Sequence, residues 1–261
     1  MKTWFNSKSM LPALSFIGVM ACSSVAGDTF VRLKVTSDPG STTIGNAIVN
    51  PSNIEFTVAK LVISEVELEK GVDCSVEDDS ANDDANEFEY EGPFVVDLIA
   101  EKAIPSLDEV KIEKAKYCKF KFKLDKLEDD EIPAGVSDSA SIVDNSVYIE
   151  GIYDSTTPFV VKLDEDEDFE MESESASGLA FANGELNTIF LVFDLGNLFQ
   201  GVDDFADLDQ DGGVVYIDKD NNEDAYDTIR ENLKTFSKLY KDSNDDDELD
   251  DDDDELASGS N

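Results

Sequence analysis

The sequence predicts a mainly β protein, an antiparallel β-sandwich carrying one C-terminal amphipathic α-helix. Three observations lead there. Segments such as residues 30–35 and 111–124 alternate apolar and polar side chains, the period of a half-buried strand. Turn-forming residues separate such segments, as at Asp38, Pro39, Gly40 and Ser41. Only residues 223–240 repeat their apolar positions at intervals of three and four. Several short strands divided by turns pack most simply as two sheets face to face.

Taken in order, Val31, Leu33 and Val35 face one way while Arg32 and Lys34 face water. Across residues 54–68 the even positions Ile54, Phe56, Val58, Val62, Val66 and Leu68 share a phase. That is long for one strand, so it predicts two segments or one bent by a bulge near Ala59. Residues 71–92 form an acidic loop, and residues 94–99 a short apolar strand. In residues 111–124, Cys118, Phe120, Phe122 and Leu124 lie on one face and Lys119, Lys121 and Lys123 on the other. Those lysines hold a large share of the few basic residues, which predicts an acidic segment beside them. Strands follow at residues 147–152, 159–163 and 187–195. Ile189 to Phe193 is apolar throughout, as a strand covered on both faces would be. The helix presents Tyr226, Ile229, Leu233, Phe236 and Tyr240 on one stripe, with Asn221 or Asn222 able to cap it. Residues 242–261 show no apolar periodicity and read as a disordered acidic tail.

The 61 acidic residues against 20 basic ones, with no histidine, give a formal charge of −41. Such a surface repels nucleic acid and attracts cations. Lack of histidine removes the commonest general base and zinc ligand. No nucleophile–base constellation is present, so the sequence predicts a protein that is not an enzyme.

The N-terminus carries Lys2 and Lys8, an apolar run over residues 10–21, then Cys22. This is the layout of an export signal, too short to span a bilayer. Val19, Met20, Ala21 and Cys22 resemble the lipobox of bacterial lipoproteins. That resemblance implies cleavage before Cys22, lipidation there, and, with Ser23 next, retention at the outer membrane. Ordinary signal cleavage near Ser24, Val25 and Ala26 is the alternative; either way the mature chain lies outside the cytoplasm. With Cys22 lipidated, Cys74 and Cys118 remain in an oxidising compartment and predict a disulfide. Closing a loop of roughly 44 residues is worth about 4 kcal/mol in the chain-entropy treatment. The chain then divides into a signal (1–21), a tether (22–28), a sandwich of immunoglobulin or prealbumin kind (29–199), a loop and helix (200–241), and a tail (242–261). The lipobox, the Cys-bearing acidic loop and the strand ends at Leu98 and Leu195 together resemble uncharacterised bacterial envelope-lipoprotein domains, which imply no particular activity.

Residues 207–224 carry the chemistry. Asp207, Asp209 and Asp211 at spacing two, Gly212, the Gly213 carbonyl and Asp218 match the first, third, fifth, sixth, seventh and twelfth positions of a calcium loop. The stretch resembles an EF-hand loop without its flanking helices. Asp220 and Asn222 offer a second site sharing Asp218. The resemblance implies Ca²⁺ at an extracellular-type affinity of roughly 10⁻⁴ to 10⁻³ M. The expected partners are therefore a membrane, through Cys22, and divalent cations, with any protein or glycan partner unspecified. The expected role is structural or adhesive at the cell envelope. A ligand- or carbohydrate-binding module is the alternative, weakened because the only tryptophan, Trp4, lies in the signal.

Overall fold

The structure, a computed structural model, describes residues 28–38, 42–44, 47–49, 53–71, 74, 87–164, 166–173, 175, 178–179, 181–202, 205 and 207–259. The signal, Cys22 and most of the acidic loop at residues 71–92 lie outside the described residues. The elements in chain order are β1 (Thr29–Ser37), β2 (Thr42–Ile44), β3 (Ala47–Val49), β4 (Ile54–Lys70), β5 (Glu87–Asp97), β6 (Lys102–Ile104), β7 (Val110–Ile112) and β8 (Tyr117–Leu124). Next come β9 (Val147–Tyr153), β10 (Thr157–Leu163), β11 (Glu167–Ser173), β12 (Leu186–Phe193), β13 (Gln210–Asp211), β14 (Val214–Ile217), α1 (Glu223–Thr235), β15 (Ser237–Lys241) and β16 (Asp254–Gly259).

The strand β4 is one 17-residue strand and the spine of the sheet. Two register irregularities flip its phase, at Thr57 against β9 and at Ser64 against β8. Its core-facing residues are therefore Ile54 and Phe56, then Ala59, Leu61 and Ile63, then Val66 and Leu68. This corrects the single even-numbered phase expected from the sequence, because each extra residue turns the side chains after it to the other face. Val62 is fully buried on the opposite face, in a smaller cluster with Val95, Leu127, Ile142 and Tyr148.

One edge of β4 pairs with β9 over Ile54–Leu61 and then with β8 over Ile63–Lys70; the other edge carries β3 and β5. The sheet forks at Val62, whose N–H donates to Ser146 O (2.9 Å) and whose carbonyl accepts from Asp125 N (3.2 Å). One arm runs β9, β10, β14, β13; the other runs β8, β11, β16, β15, β12, β1, β7. The pairs β1–β12 and β10–β14 are parallel and the rest antiparallel. The result is one continuous mixed sheet curled through a half-barrel around the main core, where the sequence predicts an antiparallel sandwich. Parallel neighbours are joined by long crossovers and leave no hairpin signal in the chain. The buried Tyr90 of β5 ties the curl together, its hydroxyl donating to Asp108 O (3.1 Å) and lying 3.4 Å from Val31 O.

The helix α1 buries Ala225, Tyr226, Ile229 and Leu233 but stops at Thr235, short of the predicted end at Tyr240. Beyond it the chain turns into β15, with Ser237 and Leu239 fully buried. Glu167, at the start of β11, holds α1 in place through Arg230 Nε (2.9 Å) and Lys234 Nζ. The expected disordered tail is also corrected. Strand β16 lies inside the sheet, between β11 and β15. Ala257 is 1% exposed, and the Gly259 backbone approaches the Lys234 carbonyl so closely that a Cβ there would collide with it. A polar composition disfavours burial of side chains, but ladder hydrogen bonds need only backbone.

Ala257→Asp is therefore expected to lower stability by at least about 3 kcal/mol, by burying an unpaired carboxylate. Urea denaturation checks this; an unchanged midpoint would mean that residue 257 is not buried.

Candidate functional site

Residues 207–224 fold as a hairpin, a tight turn and a helix start. Gln210 pairs with Val215 and Asp211 with Val214. Gly212 and Gly213 make the connection with φ of 61° and 86°, the two positive values that a two-residue hairpin turn requires. The glycine pair makes a strand reversal at the positions that the sequence assigns to the sixth and seventh places of a calcium loop. Val215 and Ile217 are fully buried beside Phe159 and Val161 of β10.

The polar residues of this stretch are largely engaged with one another. Asp218 and Asn221 exchange backbone hydrogen bonds (2.9 and 3.1 Å). Asp218 Oδ1 accepts from Asp220 N (2.9 Å) and Asn221 Nδ2 (2.8 Å). Asn222, with φ of 54°, does not cap the helix through its side chain. Its Oδ1 accepts from Asp209 N (2.9 Å), and its Nδ2 donates to Asp209 O (3.0 Å) and Tyr216 O (2.7 Å). Asp207, Asp209, Asp211 and Asp220 are exposed. Among the described residues, no group of three or more histidine, cysteine or acidic side chains could hold a metal ion.

The three outward lysines of β8 do have acidic neighbours, on both sides. Lys119, Lys121 and Lys123 face Glu69, Glu67 and Glu65 of β4, and Glu172, Glu170 and Asp168 of β11. Lys119 Nζ lies 2.7 Å from Glu170 and 3.2 Å from Glu172, and Lys121 Nζ lies 2.9 Å from Glu69. Burial lowers the Lys119 pKa, but the hydrogen bonds and charges of Glu170 and Glu172 outweigh it, so the ammonium is held above its ordinary range. On the far side of β4 the pairing is acid on acid, Glu65 against Glu91 and Glu67 against Glu89. Asp125 and Asp166 form a hydrogen-bonded carboxyl pair: Asp166 is pushed up by Asp125, while burial raises Asp125 but is outweighed by its bonds with Asp166 and Lys126 N and by the charge of Lys123.

A second feature escapes a reading of the sequence. Residues 242–253 fold back over the outer face of β1, β12 and β15. Asp242 is 3% exposed; its two carboxylate oxygens accept from Asp245 N (2.7 Å) and Asp247 N (3.0 Å). Asp247 accepts from Arg32 Nη1 (3.0 Å) and Thr188 Oγ1 (3.2 Å) and lies 3.3 Å from Lys34 Nζ. The signal that points to it is the unbroken apolar run from Ile189 to Phe193. Phe190 and Val192 face outward yet are 2% and 3% exposed, so something had to cover them.

Cys74 and Cys118 form the expected disulfide, with S–S 1.98 Å and Cα–Cα 5.0 Å. Cys118 sits at a register irregularity and is half-buried, while Tyr117 takes the core position predicted for it. Gly71 and Gly178 pack against Cys118 Sγ and Cys74 Sγ, leaving no room for a side chain at either position. Among the described residues no helix is long and apolar enough to cross a membrane.

No protein-family model matches the chain, and no curated protein matches it. Among solved structures it is similar to MbnP from Methylosinus trichosporium, at 11% identity and a TM-score of 0.36, over 72% of this chain and 82% of that one. A likeness of that size carries no functional argument.

Asn222→Ala is expected to cost about 2 kcal/mol by leaving the Asp209 and Tyr216 backbone groups unpaired. Asp207→Ala, at an exposed position, is expected to change stability by less than about 0.5 kcal/mol. Calcium-free denaturation curves of the two variants check this, and the reverse order would contradict the hairpin assignment.

Proposed function

We propose that this chain is an exported, lipid-anchored, non-catalytic protein of the bacterial cell envelope with a structural or adhesive role. Cys22 carries the anchor, and the acidic domain takes calcium and other divalent cations as counter-ions. The observation that carries the export reading is the Cys74–Cys118 disulfide, a bond that persists in oxidising compartments. It agrees with the basic and apolar N-terminus and the lipobox-like residues up to Cys22. The cation reading rests on charge: a net −41, with Glu65 opposite Glu91 and Glu67 opposite Glu89 in adjacent strands. Directly opposed like charges destabilise a sheet, and divalent cations relieve such repulsion more strongly than monovalent ones.

Expressed with its own leader in a Gram-negative host, the protein is expected to incorporate labelled palmitate and enter the membrane fraction. Cys22→Ala is expected to lose both. Unlabelled, soluble wild-type protein would end the anchor reading. In a thermal melt, millimolar calcium after EDTA is expected to raise the midpoint by several degrees, more than sodium chloride at matched ionic strength. The rise is expected to survive in Asp207→Ala/Asp209→Ala. A rise that sodium chloride reproduces in full would reduce the cation reading to simple screening.

A further inference from the structure

We propose that Asn183 is a site of enzyme-free deamidation, and that the hydroxyl of Thr29 restrains its rate. Asn183 and Gly184 lie in the turn that leads into β12, and both are exposed. Gly184 has φ of 80°, a value that glycine takes without strain. Among the described residues, Asn183 is the one asparagine whose carboxamide makes no hydrogen bond. The others are engaged. Asn145 Nδ2 donates to Val143 O (2.9 Å), Asn187 Nδ2 to Ala182 O (3.1 Å) and Asn197 Nδ2 to Asp194 Oδ2 (2.6 Å). The remaining described asparagines are bound through their carboxamides in the same way.

A glycine after asparagine leaves the peptide nitrogen open to attack, because no Cβ stands beside it. Gly184 N gives its proton to hydroxide and attacks Asn183 Cγ as the anion. The N–Cγ bond forms, the Cγ–Nδ2 bond breaks, and Nδ2 takes a proton from water and leaves as ammonia. Water then opens the five-membered imide at either carbonyl, giving aspartate or isoaspartate at position 183. The sum consumes one water, releases one ammonia and changes no oxidation state. One hydrogen bond opposes the first step. Gly184 N donates to Thr29 Oγ1 (3.1 Å), and Thr29 is 5% exposed. That N–H has to leave the hydroxyl before the nitrogen can turn on Cγ. Asn145 gives the contrast within the same chain. Its neighbour Ser146 is 1% exposed and donates its N–H to Leu163 O (2.7 Å), so carboxamide and nucleophile are both held. Deamidation at residue 183 adds a carboxylate two residues from Glu185. Isoaspartate also adds a main-chain carbon to the turn that Asn187 Oδ1 holds through Ala182 N (2.6 Å).

The test is prolonged incubation of the folded protein in heavy-oxygen water at mildly alkaline pH. Peptide mapping by mass spectrometry then follows every asparagine. Asn183 is expected to convert first, with heavy oxygen entering at that position and isoaspartate among the products, while Asn145 stays intact. Thr29→Val is expected to speed the conversion at least about threefold, as loss of one opposing hydrogen bond allows. Thr29→Ser keeps the hydroxyl and is expected to stay within about twofold of the wild type. Melts verify that both variants fold, and the guanidinium-unfolded chain gives the unrestrained rate. Asn183 left intact in the folded protein after the unfolded chain has converted would overturn the site, and so would equal conversion at Asn145. An unchanged rate in Thr29→Val, or a folded wild type that converts as fast as the unfolded chain, would overturn the role of Thr29.

Discussion

Strand β12 is apolar on both faces, and much of the architecture answers that constraint. Inward, Ile189, Leu191 and Phe193 join the main core, where Phe193 meets Phe122 edge to face at 5.7 Å. Outward, Phe190 and Val192 would be exposed on an open sheet. Leaving apolar surface in water costs roughly 25 cal/mol per Å², so the chain returns over them after β15. The cover is made of the most acidic residues in the protein, and it stays because β1 presents Arg32 and Lys34 beside β12. Asp247 meets both, and Asp242 closes the segment on itself through backbone N–H groups. The same return delivers β16 to its slot between β11 and β15, without which the longer arm of the sheet would have a gap.

Charge is managed by placement. With 20 basic residues against 61 acidic ones, most carboxylates have no cation to meet. The available lysines and arginines are found where acidic elements must come together. Lys119, Lys121 and Lys123 separate the acidic rows of β4 and β11; Arg230 and Lys234 join α1 to β11; Arg32 and Lys34 hold the return segment. Individually such half-exposed pairs are worth at most about 1 kcal/mol. Their value here lies in register, since acid rows without the lysines between them would repel at every step. A chain built this way is sensitive to ionic strength, and that sensitivity is why cations stand in the functional reading.

The sequence is most legible where a single period runs undisturbed. The alternation of β1 and β8 and the helical stripe as far as Leu233 come directly from apolar spacing. It misleads where one inserted residue resets the phase: the length of residues 54–68 announces a bulge near Ala59, but nothing in the composition places the interruptions at Thr57, Ser64 and Cys118. The predicted helix runs five residues too long because Phe236 and Tyr240 continue its spacing; Leu239, off that stripe, is the sign of a strand. The glycine pair at 212–213 has two readings in sequence, a calcium loop and a hairpin turn, and the alternation of Val215 and Ile217 after it favours the second. Polarity alone makes the tail look disordered, while the doubly apolar β12 already calls for a covering segment. The parallel pairings of β1 with β12 and β10 with β14 join residues far apart in the chain, which no local pattern encodes.

The architecture stands on the acidic C-terminal segment being part of the fold, and native-state hydrogen exchange measures that most directly. The ladder amides of β16 are expected to exchange as slowly as those of β12, close to the global unfolding limit. The N–H groups of Asp245 and Asp247, held by Asp242, should be measurably protected as well. Exchange of residues 254–259 at the rate of an unstructured chain would contradict this architecture. The outer face of β12 and the return segment over it would then lose their basis together.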